Sequence, residues 1–253
     1  MAKDIREFDG WLDEYDWPRV ACPTCVYGSL SFNPAEMTRS TDTHSTELVD
    51  LHLKNLGPPE ELTGTFHGHL DCDNTGCGER VTLAGDWQLV FNEGFDPSRG
   101  QLGNIYRVRY VNPPLRLIRL PKDTPPKVAD GVTSAAKVIW VSPSSAANRL
   151  RYAAEALLAH EGVPPTSPSG GLVPLGRRIS EYAKTEPELA KALKAVSYIG
   201  NEGSHDELLT ITQVLEGATI LAHVIAALYD KSEAAMAARI KAINDAMGVL
   251  NLP

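Results

Sequence analysis

The spacing of apolar and polar residues changes near residue 121, and this change divides the chain into two parts. Before it, short segments alternate apolar and polar side chains with the two-residue period of a β-strand. The predicted strands cover residues 62–70, 80–84, 87–92, 105–111 and 115–120. After it, apolar residues recur every third or fourth position, as on one face of a helix. The pattern therefore predicts an α+β protein, β-rich at its N-terminal end and an α-helical bundle at its C-terminal end.

A proline-rich segment lies between the two patterns. Residues 121–126 contain Pro121, Pro125 and Pro126, and proline favours extended or turn backbone over helix. We therefore predict a β-rich module at 1–120, a linker at 121–126 and a helical bundle at 127–253. Within the first module, residues 5–15 also show the spacing of a short amphipathic helix.

The helical part has clear start signals and one very apolar segment. Ser142 and Pro143 predict a helix start, with serine as the N-cap and proline in the first turn. The segment 212–230 is apolar nearly all round, which predicts a central place in the bundle. Helices are predicted at residues 128–141, 143–161, 175–183, 186–199, 212–230 and 233–250.

Composition and charge narrow the class of protein. The chain has 253 residues, of which 43% are hydrophobic and 22% charged, as in ordinary soluble globular proteins. Its formal net charge of −8 argues against loose binding to nucleic acid, which requires a basic surface. No signal peptide is apparent, and polar residues interrupt the most apolar stretch, 208–229. We therefore expect a cytoplasmic protein without a membrane span, and cysteines that do not form structural disulfides.

All four cysteines fall in two tight clusters. The first is Cys22-Pro-Thr-Cys25, and the second contains Cys72 and Cys77 in a glycine-containing turn. Four thiolates that converge from two such turns form a closed tetrahedral zinc site, in which the metal has a structural role. The alternatives are unliganded reduced cysteines or a redox pair, but a redox pair requires a βαβ setting that the flanks do not show. An insertion near residues 34–61 would account for the long separation between the clusters.

The segment Gly200-Asn201-Glu202-Gly203-Ser204-His205 ends an apolar helical stretch. Asn201 and His205 share a face if helix continues through the segment, because residues four apart lie on one side of a helix. An amide and an imidazole together can bind, orient or deprotonate a ligand. The simpler interpretation is a helix C-cap at Gly200 followed by an N-cap at Ser204, with His205 as a hydrogen-bonded core or capping residue.

A polar stripe accompanies the apolar face of the predicted helix 143–161. It consists of Asn148, Arg151 and Glu155, which are spaced three and four residues apart. Arg151 and Glu155 fit an ordinary surface ion pair. They also fit a binding surface that faces the segment containing Asn201 and His205.

These residues resemble a known family, the domain of unknown function numbered 4145. The resemblance rests on the runs SPSSAANRLRYAAEALLAHEGV, LGRRISEY and AVSYIGNEGSH, and more loosely on the cysteine module before the proline-rich segment. It implies a relation to the HEPN helical proteins, which occur in bacterial toxins, defence systems and restriction loci. Many HEPN proteins are metal-independent RNases that combine their catalytic residues across a dimer.

The resemblance carries over only part of the HEPN catalytic motif, which is often an Arg-Asn pair followed by a histidine. Asn201 and His205 match the asparagine and the histidine, and are therefore the candidate catalytic residues. Gly200 stands where the motif has its arginine, and Ser197 stands where family members often carry another one. An arginine would stabilise the negative charge on a cleaved phosphate, so RNase activity would need a guanidinium from elsewhere, such as Arg149 or Arg151.

Three interpretations of function follow from the residues and the resemblance. The first is a HEPN-like binding or regulatory protein with structural zinc, catalytically degenerate, whose protein partner comes from the same defence, toxin or restriction locus. The second is an RNase effector that uses His205. The third is a sensor of a small ligand or nucleotide, with a pocket formed by Asn148, Arg151, Glu155, Asn201 and His205. The missing arginine and the net charge of −8 favour the first.

A homodimer through the helical part is also expected. The resemblance implies it, and the segments 212–230 and 233–250 carry more apolar surface than one small bundle easily buries. RNA remains a conceivable partner that the net charge does not favour, and no membrane partner is predicted.

Overall fold

The computed structural model describes residues 5–25, 27–54, 62–91, 102–202 and 209–246. Within these ranges the chain is α+β, with a sheet in its N-terminal part and helices in its C-terminal part. The predicted fold class is confirmed, and the change from strand to helix occurs at the proline-rich segment.

Seven strands of the described residues form one antiparallel sheet. Their order is β1-β7-β6-β5-β3-β2, and β4 pairs with β5 beside β3. The inward side chains alternate along the long central strands, for example Phe66 and Leu70 on β5. The strands are β1 Leu12–Asp13, β2 Val20–Ala21, β3 Ser29–Phe32, β4 Thr38–Thr41, β5 Thr63–Cys72, β6 Arg80–Phe91 and β7 Leu102–Asn112.

The helices follow the predicted start signals closely. Ser142 caps α3 by accepting a hydrogen bond from the Ser145 N–H at 3.3 Å, and α6 packs against α3 and α5. The α-helices are α1 Thr43–Leu53, α2 Pro126–Val138, α3 Pro143–His160, α4 Leu175–Tyr182, α5 Pro187–Glu202, α6 Ile211–Tyr229 and α7 Ser232–Ala246.

An N-terminal segment, residues 5–9, connects the sheet with the helices. The ring of Phe8 is edge-on to Trp17 of the sheet region and to Trp140 after α2, with centroid distances of 6.4 and 6.0 Å. Arg6 donates to the Glu216 carboxylate of α6 at 3.0 Å, and Asp9 accepts from the Thr212 hydroxyl at 2.8 Å. The buried residues of sheet and helices therefore form one continuous core.

Two sequence predictions of secondary structure are wrong, and the insertion predicted near residues 34–61 has secondary structure of its own. The region 5–15 contains a short 3₁₀ helix, Ile5–Phe8, and then β1, because Gly10 adopts a positive φ of 93° that interrupts a helix. Residues 115–120 form no strand, since Pro113 and Pro114 before them lack the N–H groups that a sheet ladder needs. The presumed insertion contains β4 and α1.

One helix, α6, is long and apolar enough to cross a membrane by composition alone. Its apolar residues Val214, Leu221 and Ile225 are buried, and the helix packs against α3 and α5. The burial of these residues accounts for its composition, because a central bundle helix needs apolar side chains on most of its surface.

Candidate metal centre and helical site

The pairing of the strands brings the two cysteine clusters together. Cys22 and Cys25 lie in the turn between β2 and β3, while Cys72 ends β5 and Cys77 lies in the turn before β6. Leu30 of β3 pairs with Cys72 of β5, which places one turn over the other. All four sulfur atoms lie within 4.8 Å of one another, so they can hold a metal ion.

The sulfur spacing fits a tetrahedral ion. The Sγ atoms of Cys22 and Cys77 are 3.9 Å apart, and those of Cys25 and Cys72 are 3.7 Å apart. Four thiolates at about 2.3 Å from one ion would lie about 3.8 Å from one another at tetrahedral angles. These two separations match that value, and all the other sulfur separations lie within 4.8 Å.

Hydrogen bonds favour a thiolate at Cys25. Its sulfur accepts the Gly28 N–H at 3.3 Å and the Asn74 side-chain amide at 3.6 Å. Burial alone would raise the pKa of the Cys25 thiol, but bonds from Gly28, Cys77, Cys72 and Asn74 outweigh burial and lower it to about 6. Burial and the neighbouring sulfurs raise the pKa of Cys72 to about 12. One thiolate forms readily at Cys25, and a bound cation would displace the remaining protons.

The first knuckle, residues 22–28, depends on a glycine and on a distant arginine. A Cβ atom at Gly28 would lie 2.4 Å from the Cys72 sulfur and 2.9 Å from the Cys25 sulfur, so only glycine lets the knuckle close. Arg116 donates from Nε to the Pro23 carbonyl at 2.6 Å and from Nη2 to the Thr24 carbonyl at 3.4 Å. Arg116 thereby ties the knuckle to the segment before the helices, a role that its strand-like sequence context did not reveal.

The structure brings three of the predicted helical site residues together. Arg151 of α3 donates from Nη1 to the Asn201 Oδ1 of α5 at 2.8 Å, and its Nε lies 3.3 Å from a Glu155 carboxylate oxygen. Asn148 is half-buried one turn earlier on α3. His205 lies outside the described residues, so its place relative to Asn201 stays a prediction.

Gly200 allows this arrangement. A Cβ atom there would lie 2.7 Å from the Arg151 Cβ and 3.2 Å from its Cδ. The aliphatic part of Arg151 therefore occupies the space that any side chain at position 200 would need. The close approach of α3 and α5 at this point carries the guanidinium to Asn201.

Two family models match the chain. Residues 133–246 match the domain of unknown function DUF4145, and residues 11–112 match a second domain of unknown function, DUF8608. The helical part is therefore similar to the DUF4145 family over residues 133–246. The DUF8608 match contains all four cysteines and the whole sheet, so the metal centre belongs to that region. No curated protein and no solved structure matches the chain.

The helical part contains a buried arginine that the sequence did not reveal. Arg178 of α4 is only 2% exposed. Its Nη2 donates to the Val163 carbonyl at 2.6 Å and to the Glu155 carbonyl at 2.8 Å, and its burial lowers the pKa of the guanidinium. A charged group is buried at low cost only when its donors are satisfied, so Arg178 ties α4 to α3 and to the loop after it.

Proposed function

We propose that the chain is a zinc-containing, HEPN-like binding or regulatory protein of a bacterial defence, toxin or restriction locus, in which RNase chemistry has been lost. A cytoplasmic setting belongs to this proposal, since it requires reduced cysteines. The observation that carries it is the engagement of Arg151 by Glu155 and Asn201.

A working RNase of this kind would need a cation directed at the cleaved phosphate. Arg151 supplies the guanidinium nearest to Asn201, but the Glu155 carboxylate lies beside it at 3.3 Å. The carboxylate offsets the positive charge of Arg151 and so weakens its attraction for a phosphate. Position 200 cannot carry the arginine of the HEPN motif in this packing, because Arg151 fills that space.

Zinc is the metal that suits the cysteine centre best. Thiolates are soft ligands, and four of them at tetrahedral spacing are typical of structural zinc sites. With four protein ligands, the ion would keep no open position for water or substrate. In this proposal the ion holds the two cysteine-containing turns in place. The binding function belongs to the helical part.

RNA cleavage decides between this proposal and an RNase. We expect the wild type and His205→Ala to leave total and structured RNA equally intact in neutral, magnesium-free buffer, while their melting curves agree within a few degrees. A catalytic histidine is worth about 10²–10⁴ in rate, so its loss would be plain in an active enzyme. His223→Ala, at an exposed position of α6, is the matched control.

The RNase interpretation remains the second candidate because Arg151 brings a guanidinium within 2.8 Å of Asn201. It would be established by RNA cleavage in the wild type and in His223→Ala that disappears in a folded His205→Ala. Cleavage that survives in all three variants would indicate a contaminating nuclease.

A homodimer through the helical part is the second element of the proposal. Helix α7 exposes a stripe formed by Met236, Ile240 and Ile243, which are 57, 52 and 40% exposed. A second copy presents the same stripe, and a twofold contact between two such stripes would cover both.

The Ile240→Glu variant tests this dimer. We expect light scattering to give a dimer for the wild type at micromolar concentration and a monomer for Ile240→Glu, because a charge in an apolar contact is strongly unfavourable. The Ala242→Glu variant, on the same helix at a half-buried position outside the stripe, should remain a dimer. A monomeric wild type would refute the dimer and leave the other parts of the proposal standing.

A further inference from the structure

A cleft of about 300 Å³ opens between α3, α4 and α5. Its apolar lining comes from Pro174, Leu175 and Ile179. Among the described residues, no aspartate or glutamate lines this cleft. Its polar lining is Arg151, Ser180, Lys194, Ser197, Tyr198 and Asn201.

Ser197 is a mostly buried residue that lines the cleft. The residue is 7% exposed, and in the described part of the chain no group bonds to its hydroxyl. A helical serine commonly satisfies itself on the carbonyl four residues earlier, as Ser180 does on Gly176 at 3.0 Å. The Ser197 Oγ is not among the buried side-chain atoms that lack a partner, so it is reachable from the cleft and free to bond a ligand there.

Lys194 adds an uncompensated positive charge. It lies one turn before Ser197 on the same face of α5, and its Nζ lies 5.7 Å from the centre of the Tyr198 ring. No carboxylate of the described residues pairs with it. Lys191, on the same helix, is paired with Glu188 at 2.7 Å.

Asn201 supplies a further donor. Its Oδ1 accepts from Arg151, and a guanidinium can only donate, which fixes the orientation of the amide. The NH₂ group of Asn201 therefore remains as a donor beside the cleft, and Arg151 acts as a positioning residue. An ammonium, a hydroxyl and an amide NH₂ together suit a ligand that offers negatively charged oxygen atoms.

We propose that this cleft binds a small organic anion, whose phosphate or carboxylate group is held by Lys194, Ser197 and Asn201. Its apolar body would lie against Leu175 and Ile179. The cleft volume of about 300 Å³ equals that of about ten water molecules and lies at the lower end of ligand pockets. That size fits a small molecule. The inference rests on the proposed binding function and names its ligand class.

Calorimetric titration of the full-length, metal-loaded protein tests the site with four probes. These are phenyl phosphate, benzoate, inorganic phosphate and uncharged benzyl alcohol. We expect an anionic aromatic probe to bind at millimolar concentration or below, about tenfold or more tighter than benzyl alcohol, because charge-assisted hydrogen bonds are worth about that factor. The tighter of phenyl phosphate and benzoate identifies the anionic group.

Four variants locate the binding. Lys194→Met should lower the affinity for the preferred probe about tenfold, and Ser197→Ala should lower it several-fold. The control Lys191→Met should leave the affinity unchanged. Gly176→Leu should block the cleft without unfolding, because a Cβ atom there meets no atom within 4 Å. Melting curves verify that each variant is folded.

Either of two results overturns the site: no anionic probe binds at about ten millimolar, or Lys194→Met binds as tightly as the wild type. These results are separate from the RNA assay. Cleavage of RNA that depends on His205 refutes the binding proposal whether or not an anion occupies this cleft, and failure of every probe refutes the cleft alone.

Discussion

The Cys25→Ser variant is expected to lose its metal and to unfold the N-terminal sheet while the helices remain folded. Cys25 provides one of the four sulfurs, and the knuckle that it closes is joined directly to β3. Phe32, at the end of β3, stacks on Trp17 at 3.9 Å, so release of the knuckle removes part of the aromatic core of the sheet. The helices pack mainly on one another, through α2, α3, α5 and α6.

The expected effect is large because metal binding and local folding are coupled. Structural zinc contributes on the order of 10 kcal/mol to small zinc modules. The sheet also has apolar packing that does not depend on the metal, so we expect a smaller loss here, of at least about 3 kcal/mol. Tryptophan fluorescence should report the sheet, and far-ultraviolet circular dichroism the helices. Removal of zinc from the wild type with a chelator should unfold the sheet and spare the helices, as the Cys25→Ser substitution does.

A pair of glycine variants provides the matched control. Gly28→Ala places a Cβ atom 2.4 Å from the Cys72 sulfur and should reduce zinc content. In the turn that contains Cys72 and Cys77, a Cβ atom at Gly76 would meet only the Asn74 Oδ1 at 3.4 Å. The Gly76→Ala variant should therefore retain zinc. Elemental analysis of wild-type protein purified without added metal should give one zinc per chain. Far less zinc, with four freely titratable thiols and an intact sheet, would contradict the zinc proposal.

The second large effect is expected at Arg178. Its replacement by alanine removes donors from the carbonyls of Val163 and Glu155, and leaves both without their partner in the interior. Unsatisfied buried groups cost about 1–3 kcal/mol each, so we expect a loss of about 3 kcal/mol. For a chain of this length the midpoint of thermal unfolding should fall by roughly 10 °C. Scanning calorimetry or thermal circular dichroism measures this midpoint.

The neighbouring arginine serves as the control. Arg177 is exposed on the same helix, and Arg177→Ala should change stability by less than about 0.5 kcal/mol. Arg178→Lys should recover only part of the loss, because an ammonium lacks the planar fork of the guanidinium. Equal midpoints of thermal unfolding for Arg178→Ala and Arg177→Ala would show that the buried hydrogen bonds of Arg178 contribute nothing to stability.

The cysteine centre could be predicted because its four cysteines occur as two pairs, each close together in the sequence. Cys22 and Cys25 are held by one turn, and Cys72 and Cys77 by another, so local geometry almost completes the site. The roles of Arg116 and Arg178 could not be predicted in the same way. Each donates to backbone carbonyls, which every residue carries, at separations of 93 and 15 residues.

In the helical site, too, the contact within one helix could be predicted and the contact between two helices could not. The four-residue spacing of Arg151 and Glu155 predicted their contact, because a helix places such residues side by side. That Gly200 would bring α3 and α5 close enough for Arg151 to reach Asn201 depended on packing between helices. The wrong helix at 5–15 had a local cause, the positive φ of Gly10, which apolar periodicity does not register.

The N-terminal segment, residues 5–9, has a consequence for the order of folding during synthesis. Its bonds from Arg6 to Glu216 and from Asp9 to Thr212 span 210 and 203 residues of chain. Contacts of such sequence separation form slowly, and a chain made from its N-terminus cannot form them until α6 has emerged from the ribosome. Residues 5–9 are therefore made well before α6 but cannot complete their native contacts until α6 is present.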